Sequence, residues 1–164
     1  MSAPLYTPEQ RERRDATPWT LVQGILAPLQ FLAFGISLVL VLRTLATGEG
    51  VFEAHLSIVI KTLLLYTIMI TGAIWEKVVF GRYLFAKAFF WEDVFSMLVL
   101  ALHTAYLAAL FFGWFGLRGQ LILALAAYAT YVVNAGQFVL KLRAARHVEA
   151  RRDALEAQRA GGIA

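Results

Sequence analysis

The sequence predicts an all-α integral membrane protein, a four-helix bundle with both termini cytoplasmic, and three observations carry that reading. Of 164 residues, 60% are hydrophobic and only 16% are charged. No Asp, Glu, Lys or Arg occurs between Asp15 and Arg43, nor between Asp93 and Arg118, and such gaps are too long for a helix of a water-soluble core. Apolar windows of the ~20 residues that cross about 30 Å of hydrocarbon recur along the chain. They place spans at Trp19–Leu42, Leu56–Trp75, Val94–Phe115 and Leu121–Leu140, with a tail from Lys141 to Ala164, so residues 1–164 read as one membrane domain.

Taken in order, "MSAPLYTPEQRERRDATP" is proline-rich with mixed charge and reads as a surface segment or an interfacial helix. Asp15 or Thr17 is positioned to cap the first span, with Pro18 in its first turn. That span is too long for a signal-peptide core of about 7 to 15 residues. Pro28 lies inside it and predicts a kink. "ATGEG" is a turn signal before the second span. The stretch "VVFGRYLFAKAFFW" after it mixes rings with cations, as a segment in the headgroup region does. The fourth span continues helically into "KLRAARHVEARRDALEAQRA".

Charge sets the orientation. Arg11, Arg13 and Arg14 precede the first span, Lys77, Arg82 and Lys87 follow the second, and Lys141 with five arginines follows the fourth. Only Arg43 and Arg118 stand in the other two connections, so the positive-inside rule puts both ends in the cytoplasm. The net charge of +4 is thereby explained without nucleic acid. With no cysteine, disulfides, thiolate metal sites and a thiol nucleophile are excluded.

Polar residues recur at spacings of three and four on every span, so each helix presents a stripe to the interior. The third span carries Glu92, Ser96, Val99, His103 and Tyr106, and the second Lys61, Leu65, Ile68, Gly72 and Glu76. The fourth adds Tyr131, Asn134, Gln137 and Lys141, and the first Gln23 and Gln30. An ionisable group in hydrocarbon costs at least about 2.5 to 3.5 kcal/mol, which turns such stripes toward one another or toward a wet cavity. The four amides read more readily as hydrogen-bonding glue between helices than as site residues. Asp93 is equally a helix cap. Lys61 reads as a snorkelling side chain, and His55 and His147 as surface residues. His103, roughly 16 Å along the axis from Glu92, is too deep to be merely solvated and reads equally as a satisfied packing histidine or as a ligand or acid. No nucleophile elbow, glycine-rich phosphate cradle or HExxH pattern is present. The residues by themselves lead to a bundle with an acid- and histidine-lined cavity suited to a planar or amphiphilic ligand.

Three long stretches narrow the function: "LYTPEQRERRDATPWTLVQGILAPLQF", "YTIMITGAIWEKVVFGRYLFAKAFFWEDVFSMLVLALHTAYLAAL" and "AAYATYVVNAGQFVLKLRAAR". Together they are similar to the vinyl bacteriochlorophyllide hydratase family of anoxygenic phototrophs, the chlorophyllide 3-vinyl hydratases. The resemblance implies a hydro-lyase that adds water to the 3-vinyl group of a chlorophyllide to give the 3-(1-hydroxyethyl) product. It implies no cofactor beyond the magnesium the substrate carries, tetrapyrrole, water and lipid as partners, neighbouring bacteriochlorophyll-synthesis enzymes as further ones, and a bacterial inner-membrane location. No catalytic role is carried over from the family.

On that reading the acid is Glu92 or Glu76, with Glu92 favoured and Glu76 or Asp93 orienting the water, since burial keeps a carboxyl protonated for proton transfer. Trp75 and Trp91, with Phe89 and Phe90, are expected to wall the ring, and Arg82 and Lys77 to hold its propionate. Tyr131, Asn134 and Gln137 are expected to line the substrate site. His103 is the expected axial ligand to the chlorin magnesium. The alternative is a non-catalytic pigment carrier or photosystem assembly factor, which needs the cavity and the histidine but not the acids.

Overall fold

The computed structural model describes residues 4–161, and among these the chain is all-helical: α1 (Pro8–Ala16), α2 (Pro18–Thr47), α3 (Val51–Phe80), α4 (Phe90–Phe112) and α5 (Gly116–Gly161). The last four are long and apolar enough to cross a membrane. Each runs beyond the predicted span at one end or both. The shift that matters is at α4, which begins at Phe90 rather than Val94 and so draws Glu92 and Asp93 into its first turn.

Local chemistry sets the boundaries. Thr7 and Gln10 close a reciprocal capping box on α1, with Pro8 at its first position. Thr17, not Asp15, caps α2, accepting from the Trp19 amide, while Asp15 pairs with Arg14. α2 continues unbroken through Pro28. Gly48 and Gly50, both at φ 74°, make the turn into α3, where the left-handed backbone suits a residue without Cβ. α5 has 46 residues, about 70 Å of helix, so it outruns any bilayer core by some 40 Å.

α2 packs along α3 and α4 along α5, and α2–α5 and α3–α4 contacts join the two pairs. One core layer is built from Val41, Ala54, Ile58, Tyr106, Leu121 and Tyr128, and a second from Leu65, Val99 and Tyr131. A third joins Tyr6 to Val79 and Phe89 beside α1. Leu21, Leu32, Val39, Ile70 and Phe111, among others, point outward, an apolar surface that water would not tolerate and hydrocarbon requires. Arg14 bonds Glu149 at 2.9 Å and Arg11 bonds Asp153 at 3.1 Å, so α1 is clasped to the far part of α5 on one side of the bundle.

Candidate functional site

The start of α4 brings three carboxyl groups into one buried layer. Glu92, Asp93 and the α3 residue Glu76 are each at most 6% exposed. Asp93 does not cap its helix. Its Oδ2 accepts from the Phe85 amide at 2.7 Å, and Glu76 Oε2 accepts from the Ala86 amide at 3.4 Å. The connection between α3 and α4 thus lies over both acids with its backbone donors turned onto them. Phe85 takes φ 59° to do so, a left-handed backbone costly for a bulky residue, by about 1–3 kcal/mol. Consecutive amides therefore hold the Glu76 and Asp93 carboxyl groups close together, and among the described residues neither is in a salt bridge. Ionising both would set like charges side by side in a buried layer, which favours one proton shared between them.

Glu92 is held differently. Lys141 of α5 reaches its Oε2 at 2.6 Å and also donates to the Ala88 carbonyl. Asn134 donates to the Glu92 carbonyl at 2.8 Å, and Ser96 donates to the same carbonyl and to Asn134 Oδ1. Asn134 is therefore glue between α4 and α5. Gln23, which donates to Thr71 at 2.7 Å, is glue between α2 and α3. Gln30 is not: it is 3% exposed and neither of its amide atoms has a partner among the described residues, and the same is true of Gln137 Oε1.

A second polar group lies toward the middle of the bundle. Lys61 does not snorkel; it is 0% exposed and donates to His103 Nε2 at 2.9 Å. Its ammonium also sits 4.0 Å from the centre of the Tyr131 ring and 5.2 Å from that of Tyr128. His103 Nδ1 lies 2.7 Å from the Val99 carbonyl, which can only accept, so Nδ1 carries a proton, and Nε2 is the atom that accepts from the Lys61 ammonium, which can only donate. To ligate a magnesium ion, His103 would have to release Lys61 and leave its pocket. His55 is not a bare surface residue either, since its Nδ1 shares a hydrogen bond of 2.6 Å with Tyr106. His147 is exposed, as expected.

The expected ring-wall and propionate residues separate into two groups. Trp75 is tied inward, donating to Thr20 at 2.9 Å and meeting Phe80 and Phe89 edge-on. Trp91 is 67% exposed and Phe90 beside it also faces out. Lys77 donates to the Gly81 carbonyl, and Arg82 reaches the Phe85 carbonyl at 3.5 Å, both from exposed positions. Tyr131 lies beneath Lys61 rather than beside the acids. Sequence reasoning missed the amides of Phe85 and Ala86, which carry no signal in residue type, and the pairing of Lys61 with His103.

A family model, 2-vinyl bacteriochlorophyllide hydratase, matches residues 6–144. The protein of that name from Rhodobacter capsulatus is 73% identical over 150 residues, which are 92% of this chain and 87% of the relative. Its counterpart in Cereibacter sphaeroides is 76% identical over 143 residues, 87% of this chain and 88% of the relative. No solved structure gives a significant match. A family match over residues 6–144 together with relatives of 73% and 76% identity admits one conclusion: the chain belongs to the 2-vinyl bacteriochlorophyllide hydratase family.

Proposed function

We propose that this protein adds water across the vinyl group of a bacteriochlorophyllide or chlorophyllide, position 2 in the relatives' name and position 3 in the numbering used above, to give a 1-hydroxyethyl substituent. The kinship carries the reaction, and one observation carries its location: three buried carboxyl groups in a single layer beneath the connection between α3 and α4.

The chemistry fits that layer. A proton passes to the terminal vinyl carbon, leaving a cation on the carbon attached to the ring, where conjugation spreads it. Water attacks that carbon and its extra proton returns to the protein, so the proton is conserved over the cycle. The Glu76–Asp93 pair is the natural donor, because two neighbouring buried carboxyls without a salt-bridge partner favour keeping one proton between them. Glu92 is the favoured acid on sequence grounds alone. Its pairing with the Lys141 ammonium favours instead a role as fixed negative charge facing the developing cation. The substrate reaches the pair when the segment around Phe85 and Ala86 moves off the carboxyls.

The macrocycle approaches from lipid along the outward Phe90 and Trp91, with its propionate toward Arg82 and Lys77 at the interface. The distribution of Lys and Arg supports an inner-membrane orientation with α1 and the end of α5 in the cytoplasm. His103 is given no magnesium in this proposal. Incubating the purified protein with a vinyl chlorophyllide should yield a pigment heavier by one water. Stoichiometric binding with no such product would replace the hydratase with a pigment carrier.

A further inference from the structure

Two non-glycine residues among those described have a left-handed backbone, Phe85 at φ 59° and Phe115 at φ 66°. Phe115 lies in the short reversal 113–115 between α4 and α5, where so few residues leave little choice of conformation. The connection between α3 and α4 is longer, residues 81–89, and Gly81 at φ 85° already turns the chain out of α3. Phe85 is therefore not forced into its backbone by a shortage of chain. It is held there by the acids. Its own amide donates to Asp93 at 2.7 Å and the next amide, that of Ala86, donates to Glu76 at 3.4 Å. Successive amides converge on one anionic group when the residue between them is left-handed, a conformation that glycine adopts freely and phenylalanine does not. Turning Phe85 back to a negative φ rotates the peptide before it against the peptide after it, so both amides cannot then stay on their carboxyls.

The ring that makes this backbone costly stands beside the pigment's route. Phe85 is half-buried, its ring centre is 5.9 Å from that of Phe90, and Phe90 belongs to the outward aromatic face along which the macrocycle approaches. Beyond Ala86 the connection is firm, since the Phe89 amide donates to the Ala86 carbonyl at 2.9 Å and Lys141 donates to that of Ala88. Strained residues persist only where their surroundings hold them, and they gather at ligand clamps and switches. We infer that Phe85 couples the arrival of pigment to the uncovering of the acids. The macrocycle displaces the Phe85 ring from Phe90, the backbone relaxes, and the paired hold of the two amides on Asp93 and Glu76 is broken. The carboxyl groups are thus covered in the empty protein and bared by the substrate itself. This rests on the hydratase reading above and adds to it the residue that admits the vinyl group.

Glycine and alanine at position 85 separate backbone from ring. Both lack the ring, and only glycine is at ease at positive φ. Phe85→Gly should therefore keep the cover shut: protection of the position-85 and Ala86 amides against hydrogen exchange should be about tenfold higher than in Phe85→Ala. Its kcat/KM for a 3-vinyl chlorophyllide should be about tenfold lower than that of Phe85→Ala, with kcat within about twofold, because an open state populated tenfold less weakens apparent affinity by that factor. Equal protection or equal kcat/KM in the two variants would overturn the inference. The wild-type chain gives a second test that depends on no variant folding. Adding the chlorophyllide to the purified protein should lower protection of the Phe85 and Ala86 amides about tenfold. Pigment bound with that protection undiminished would sink the coupling, whatever the rate of hydration. Pigment that strips the protection and returns unhydrated would instead remove the hydratase reading and uphold the coupling.

Discussion

The carboxyl layer and the Lys61–His103 layer are both buried and polar, yet they are built to opposite ends. Around Lys61 every strong group is matched: the ammonium has an imidazole and two aromatic faces, and the imidazole has the Val99 carbonyl. Around Glu76 and Asp93 the matching is incomplete, with two buried carboxyls held by consecutive amides and neither in a salt bridge. A buried ionisable residue in a membrane helix is a default signal of function. Here the signal divides, and unfilled hydrogen-bonding capacity distinguishes a place for reactants from a place for packing.

The largest effect that would sharpen this contrast is on turnover. Glu76→Gln or Asp93→Asn should lower hydration by about 10²- to 10⁴-fold, the range a positioned acid supplies, while absorption titrations show pigment still bound. Near-normal rates in both variants would break the distinction at its stronger end. The next effect is on stability. His103→Leu strands the Lys61 ammonium and should cost about 1–3 kcal/mol of stability, with activity per folded molecule and the bound pigment's bands unchanged. Adding Lys61→Met should recover most of that loss, because exchanging a whole buried polar pair for apolar groups is close to neutral. Thermal melting in detergent reads the cycle, and shifted pigment bands in His103→Leu would return the histidine to the substrate.

The smallest effect belongs to the clasp between α1 and α5, outside both layers. Arg11→Ala should lower the melting temperature only slightly, and less at high salt, because its side chain and that of Asp153 are largely solvated. The hydrogen bond from Arg11 holds the Asp153 carboxyl below its ordinary value of 3.8. A depressed carboxyl stabilises the fold above that value and loses its contribution as pH falls through the lowered one. Melting curves should therefore show the Arg11 effect at neutral pH and lose it as the pH is taken down below 3.8 through the lowered value.

The helices and their inward stripes were legible because period and polarity are local. Glu92, Ser96, Val99, His103 and Tyr106 are all buried, as their spacing requires. The start of α4 was not legible, because "AFFWED" has the aromatic and charged composition of an interface and only the packing of Phe89 shows where the helix begins. Lys61 misled for a related reason. A lysine in a span can reach water or find a partner, and the choice depended on which residue of a helix some forty positions later would face it. The orphaned glutamines could be seen only once every other amide had been placed.

Lys61 has a consequence for how the chain is made. When α3 leaves the ribosome, its ammonium belongs in the hydrocarbon but the imidazole that accepts from it has not been synthesised. Until α4 arrives, that helix should linger at the translocon or in a shallow, tilted pose, and it should settle only when the two enter the bilayer as a pair. Truncation after Phe80 would then yield a segment that inserts poorly, and extension past His103 would rescue it.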